Sequence, residues 1–139
     1  MKKYFAFLIV LFPCLAFANP VFTFGAKSDY KMLGVWLKDG THYKKQDGHY
    51  YCWELTGLPK NKENKIKLEI TSPAPATYRF NGMNSYNKVN HEFNLVGTLS
   101  NGMIDNCWMF ENEDPVGTYT LTVTANGVKY PTQTFTLSE

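Results

Sequence analysis

From Val116 onward the chain alternates. Tyr119, Leu121 and Val123 fall in one phase and Thr118, Thr120, Thr122 and Thr124 in the other, the period of two expected of a strand with one buried face. Asn126-Gly127 follows, a pair that accepts the two left-handed positions of a tight hairpin, and Val128 to Leu137 reads as the returning strand. Pro131 lies inside that run and cannot donate to a ladder, so the last strand is expected to be an edge or to bulge there. The same grammar recurs upstream, where Lys31 to Leu37 runs into Asp39-Gly40 and Phe93 to Leu99 runs into Asn101-Gly102 before Met103 to Phe110. Val21 to Phe24, His49 to Leu55, Ile66 to Thr71 and Thr77 to Phe80 are further extended runs, and no window of eleven residues keeps a helical stripe. Eight or nine short strands separated by turn signals predict an all-β, antiparallel sandwich. Lys60 to Lys65 (KNKENK) reads as a solvated turn.

The first eighteen residues follow a different pattern. Lys2-Lys3 precede an apolar run from Tyr4 to Leu15, and Ala16-Phe17-Ala18 supplies small residues at a cleavage site, so residues 1–18 are expected to be a signal peptide. The apolar run is shorter than the roughly 20 residues that cross a bilayer, and no second one follows. Cleavage would leave residues 19–139 as a single sandwich domain in the periplasm or outside the cell, with no membrane insertion. A lipid anchor on Cys14 is disfavoured by Phe12 and Pro13, where lipoprotein signals carry small residues.

Composition then narrows the partners. The 139 residues include 14 basic and 12 acidic side chains, and Lys2 and Lys3 are the only charges in the leader, so the remainder holds 12 of each sign. A neutral domain without a basic run offers nucleic acid nothing to hold by charge. With Cys14 lost, Cys52 and Cys107 remain, and an oxidising compartment leaves them one pairing, a disulfide. No Cys-x-x-Cys and no flanking His supports a zinc or redox site instead. If Tyr51, Trp53 and Leu55 face the core, and Ile104, Trp108 and Phe110 likewise, both cysteines point away from it. That phase suits a bridge between neighbouring strands on one face, or between a strand end and a loop, better than a pin through the middle of the sandwich.

Asp114 to Gly127 (DPVGTYTLTVTANG) resembles the penultimate strand and final turn of bacterial immunoglobulin-like or fibronectin-like domains, where a turn with Pro and Gly precedes a Tyr-bearing strand. The resemblance implies an immunoglobulin-like sandwich and nothing about activity. Each Cys here is followed directly by a Trp, unlike the immunoglobulin pattern of a core Trp between two inward cysteines, so that family's disulfide is not carried over.

Candidate chemistry points to recognition. There is no Gly-x-Ser-x-Gly elbow, Walker, Rossmann or His-Glu-x-x-His pattern, and carboxylates such as Glu54, Asp105, Glu111 and Asp114 have no distinguishing spacing, so neither catalysis nor a cofactor is expected. His42 and His49, with Met32, Met83, Met103 and Met109, could hold copper, but they have no defined ligand spacing and no metal site is assigned. Tyr43, Tyr50, Tyr51 and Trp53 crowd into eleven positions, more ring area than one strand face can bury, so part of it is expected to be an exposed partner anchor. A second patch is read as the loop from Asn81 to Asn94, where Asn84, Tyr86 and Asn87 would present amides and a ring. The plainer reading puts the rings in the core and the asparagines in turns. The expectation is a non-catalytic module that binds a protein or glycan partner in the cell envelope, through loops at one end or the last edge strand. A carbohydrate-binding module and a periplasmic copper-binding protein are the alternatives. The oligomeric state has no signature in the chain.

Overall fold

A computed structural model describes residues 19–28, 36, 42–45 and 48–139. Within them the alternating runs divide into two facing sheets. One is the three-stranded, antiparallel sheet β1-β3-β6, built from β1 (Val21–Lys27), β3 (Tyr50–Thr56) and β6 (Ile104–Trp108). The other runs in the order β2-β9-β7-β4-β5, from β2 (His42–Lys44), β9 (Gln133–Ser138), β7 (Gly117–Ala125), β4 (Glu63–Phe80) and β5 (Met83–Thr98), with the short β8 (Val128–Lys129) also on β7. Every strand pair is antiparallel except β2 with β9, which is parallel. The antiparallel sandwich expected from periodicity is the observed architecture.

Period-two patterning builds the core. Phe22, Phe24 and Ala26 of β1 and Tyr51, Trp53 and Leu55 of β3 meet Leu68 and Ile70 of β4, Tyr119, Leu121 and Val123 of β7, and Phe135 and Leu137 of β9. Tyr119 and Phe135 stack with ring centres 5.2 Å apart, and Phe24 lies 5.5 Å from Phe135 across the layers. The Tyr119 hydroxyl donates to the carbonyl of Pro115, fixing the corner that leads into β7. Cys52 and Cys107 sit opposite each other in the β3–β6 register and form the disulfide, with Cα atoms 4.1 Å apart. The bridge thus joins neighbouring strands of one sheet, as the phase of the two cysteines predicts. Cys52 is nonetheless fully buried. Its β1 neighbour Gly25 has the Trp36 ring 3.4 Å from where a Cβ would stand, and the Lys27 ammonium lies 4.2 Å from that ring's centre.

The second sheet departs most from expectation at its longest hairpin. Asn81 to Asn94 is not a loop: Asn81 and Gly82, at φ 45° and 78°, make the tight turn between β4 and β5, and residues 83–94 belong to β5. The Asn-rich row hid the strand because its exposed face is polar and the neighbouring run is broken by prolines. Ile66 to Thr71 and Thr77 to Phe80 are two halves of one 18-residue strand, joined through Ser72-Pro73-Ala74-Pro75. Pro is tolerated here because the ladder shifts register between Thr71 and Ala76, and β7 pairs with β4 only as far as Thr71. The Ser72 hydroxyl donates to the Ala74 carbonyl inside this bulge, at 2.7 Å. A second shift follows at Thr77, opposite Asn87 at φ 48°, whose amide donates to the Thr77 hydroxyl at 3.4 Å.

Beyond the bulge β4 leaves β7 and folds over β6. The Arg79 carbonyl accepts hydrogen bonds from Trp108 Nε1 (3.3 Å) and Asn106 Nδ2 (3.4 Å), while Tyr78 meets the Trp108 ring at 5.8 Å and Phe80 meets Trp53 at 5.7 Å. Gly117 permits the crossing at the start of β7. A Cβ there would stand 2.7 Å from Pro73 Cβ, and φ is +136°.

Three further expectations change. Lys60 to Lys65 is only partly a solvated turn, because β4 starts at Glu63 and Asn64 is 1% exposed. The Asn64 amide donates to the carbonyls of Pro59 and Lys62 and accepts from Asn126, pinning this turn to the Asn126-Gly127 hairpin. Pro131 falls in the gap between β8 and β9 and interrupts the predicted return strand. The last strand is not a free edge throughout, since β2 pairs with its residues 136–138. Lys31 to Leu37, apart from Trp36, and the expected leader lie outside the described residues.

Candidate functional site

Burial sorts the candidate anchors. Trp53, Tyr51 and Tyr43 are 0%, 1% and 4% exposed and belong to the core, so they are corrected from surface anchors to packing residues. The physical reason is that their ring area is shared between two sheets: Tyr51 projects from β3, Tyr43 from β2 across the sandwich, and their ring centres lie 4.3 Å apart. Tyr50 is half-buried. Asn84, Tyr86 and Asn87 are exposed, on a strand rather than on the expected loop. His42 is exposed on β2, His49 is half-buried before β3, and the described residues contain no group of three His, Cys, Asp or Glu side chains placed to hold a metal.

Two surface features of the described residues adjoin. The first is β5, which ends the order of its sheet; from Tyr86 to Asn90 five consecutive residues are exposed, so both faces of the strand are open there. Tyr86 is 59% exposed and Val89 38%. The second is a cleft of about 470 Å³ between the far half of the β4–β5 hairpin and the connection from β6 to β7. Pro75, Ala76, Thr77 and Asn87 form one wall, and Trp108, Met109 and Phe110 the other. Glu111, Glu113 and Asp114 rim it, and Tyr78 closes it between the walls. The connection is held by a tight turn in which the Glu111 amide donates to Asp114 Oδ2 at 2.7 Å and the Asp114 amide donates to the Glu111 carbonyl at 3.2 Å. Lys45 anchors the turn from outside, donating to the Asn112 carbonyl at 3.0 Å and pairing with Glu139 at 3.2 Å.

The electrostatics of the cleft follow from burial. Tyr78 is 6% exposed, and no described group hydrogen-bonds its hydroxyl. Burial holds this phenol far above the usual tyrosine range, and the charges of Tyr119 and Asp114 add to the effect. Burial likewise raises the Asp114 carboxyl, against the hydrogen bond from Glu111 and the attraction of Lys45. Behind Tyr78, 4.7 Å from its ring, His91 is 2% exposed, shares a 2.9 Å hydrogen bond between Nδ1 and Ser85 Oγ, and is held neutral to lower pH by its burial. Sequence reasoning passed over Tyr78 and Trp108 as ordinary strand residues. The available signal was the sequence Trp108 to Asp114, in which an apolar triplet precedes three acids in four positions.

A family model described as PM0630 beta sandwich domain matches residues 22–138. The chain is similar to the uncharacterized protein PM0630 of Pasteurella multocida (strain Pm70), with 22% identity over 152 residues that span 94% of each chain. Among solved structures it is similar to an immunoglobulin-like protein (PA1606) from Pseudomonas aeruginosa, with a TM-score of 0.55 and 16% identity, covering 88% of this chain and 99% of that one. At that identity the likeness establishes the immunoglobulin-like fold and no more.

Proposed function

We propose, from the premise that this chain belongs to the PM0630 beta sandwich domain family, that it is an exported, non-catalytic module which recognises a protein partner in the cell envelope through the open edge of β5. The observation that carries this reading is the run from Tyr86 to Asn90, exposed on both faces of an edge strand. An extended segment of a partner can add to such an edge by main-chain hydrogen bonds, with Tyr86 and Val89 as side-chain anchors. The non-catalytic half is supported by the Ser85–His91 pair. In this hydrogen-bonded Ser–His couple Nε2 of the histidine is buried without a carboxylate to orient it. A glycan partner is less well supported, because a stacking platform would need several open rings and both Tyr51 and Trp53 are in the core.

The test pairs export with binding. Intact mass of the protein recovered from the periplasm should correspond to a chain starting at Asn19 with the disulfide formed. Affinity capture from envelope extract should retain one stoichiometric companion, with slowed amide exchange confined to β5. The double variant Tyr86→Ala/Val89→Lys should lose that companion by about tenfold or more at unchanged melting temperature. Equal retention by the variant, or protection elsewhere than β5, overturns the reading.

A further inference from the structure

The cleft beside β5 has a composition of its own. Its lining contains three carboxylates, from Glu111, Glu113 and Asp114, and no lysine or arginine. Trp108 supplies ring surface next to them, and Phe110, 3% exposed, backs that wall from the core. Tyr78, more than nine-tenths buried, lines the same space, and its enclosed hydroxyl has no hydrogen-bond partner among the described groups. Leaving such a group unpaired is costly, so a ligand that reaches it gains by completing it. Lys45, which anchors the turn from outside, is already committed to the Asn112 carbonyl and to Glu139.

We infer that this cleft receives the guanidinium of an arginine side chain from a protein partner. A ring that offers a negative face, here that of Trp108, carboxylates that take paired N–H donors, and a phenol oxygen that accepts a hydrogen bond are the three groups a planar cation uses together. Asp114 keeps one oxygen on the Glu111 amide, so the guanidinium meets a carboxylate already fixed in position. The inference rests on the reading of the chain as a protein-binding module and specifies one side chain of that partner. The position fits, because Asn87 belongs both to the cleft wall and to the exposed stretch of β5. An arginine carried on a segment added to that edge is beside the opening.

The probe is the tripeptide acetyl-Gly-Arg-Gly-amide, too short to pair along β5, titrated into the full-length mature protein while the Trp108 indole N–H resonance is followed by NMR. A saturable shift is expected in the millimolar range, about tenfold weaker with citrulline in place of arginine and weaker in added salt. Glu111→Gln/Glu113→Gln should reduce the affinity about tenfold at unchanged melting temperature. Tyr78→Phe, which keeps the ring, should also weaken it while leaving the Trp108 resonance of the free protein near its original position. Equal binding of the arginine and citrulline peptides, or identical affinity in all three proteins, overturns the inference. Such a failure would leave the β5 capture assay unaffected, so the two readings fail separately.

Discussion

The disulfide offers the most quantitative test of how this sandwich is held. Replacing both Cys52 and Cys107 with Ala opens a loop of 55 residues, which contains all of β4 and β5. On the chain-entropy relation, closing that loop removes about 14 cal/mol/K from the unfolded state, or about 4 kcal/mol at 25 °C. Cys52 is fully buried, so trimming it to Ala adds about 1 kcal/mol for lost packing. A domain of this size loses roughly 3–5 °C of Tm per kcal/mol, so the double variant should melt about 15–25 °C below the oxidised protein. Urea unfolding followed by tryptophan fluorescence, with buried Trp53 as reporter, should show the midpoint falling by about 2 M. A loss below about 1 kcal/mol would refute the reasoning. It would mean that the β4–β5 hairpin persists in the unfolded chain and already brings residues 52 and 107 together, so that the bridge has little freedom left to remove.

Three further outcomes follow from single contacts. Tyr119→Phe removes the hydrogen bond to the Pro115 carbonyl and should cost about 1–2 kcal/mol in urea melts; no loss would show that the corner is set by the backbone alone. Gly117→Ala drives a Cβ to 2.7 Å from Pro73 at a positive φ and should cost about 2 kcal/mol or more, partly restored by Pro73→Gly in a double-mutant cycle; additive effects would separate the two positions. His91 is buried neutral, which lowers its folded pKa below the ordinary value of 6.5, so its contribution is complete above that value. Stability should fall as pH drops below about 6.5 toward the folded pKa, and His91→Gln should flatten that part of the profile; an unchanged slope would remove His91 as its source.

Much of the fold was legible because alternation is a local property. The Tyr119-Leu121-Val123 row, the Asn126-Gly127 turn and the shared phase of Cys52 and Cys107 each follow from a few adjacent residues, and each appears in the structure. What failed depended on distant partners. The rings of Tyr43 and Tyr51 look like too much surface for one strand until the opposing sheet supplies the second wall. Ser72 to Pro75 reads as a break, yet the strand continues because β5 shifts register against it. Asn64 lies in a charged run and is buried only because Asn126, distant in sequence, arrives beside it. The cleft was illegible for the same reason: Tyr78 and Asp114 are 36 positions apart and become neighbours only when β4 bends at its bulge.

The parallel pairing of β2 with β9 has a consequence for how the molecule is made. Tyr43 lies opposite Leu137, the Lys45 amide donates to the Ser138 carbonyl, and the Ser138 hydroxyl donates to the Tyr43 carbonyl. Tyr43 and Ser138 leave the ribosome 95 positions apart, so the zipper cannot shut until residue 138 has emerged. Until then the emerging polypeptide lacks this seam and its larger sheet stays open along β9.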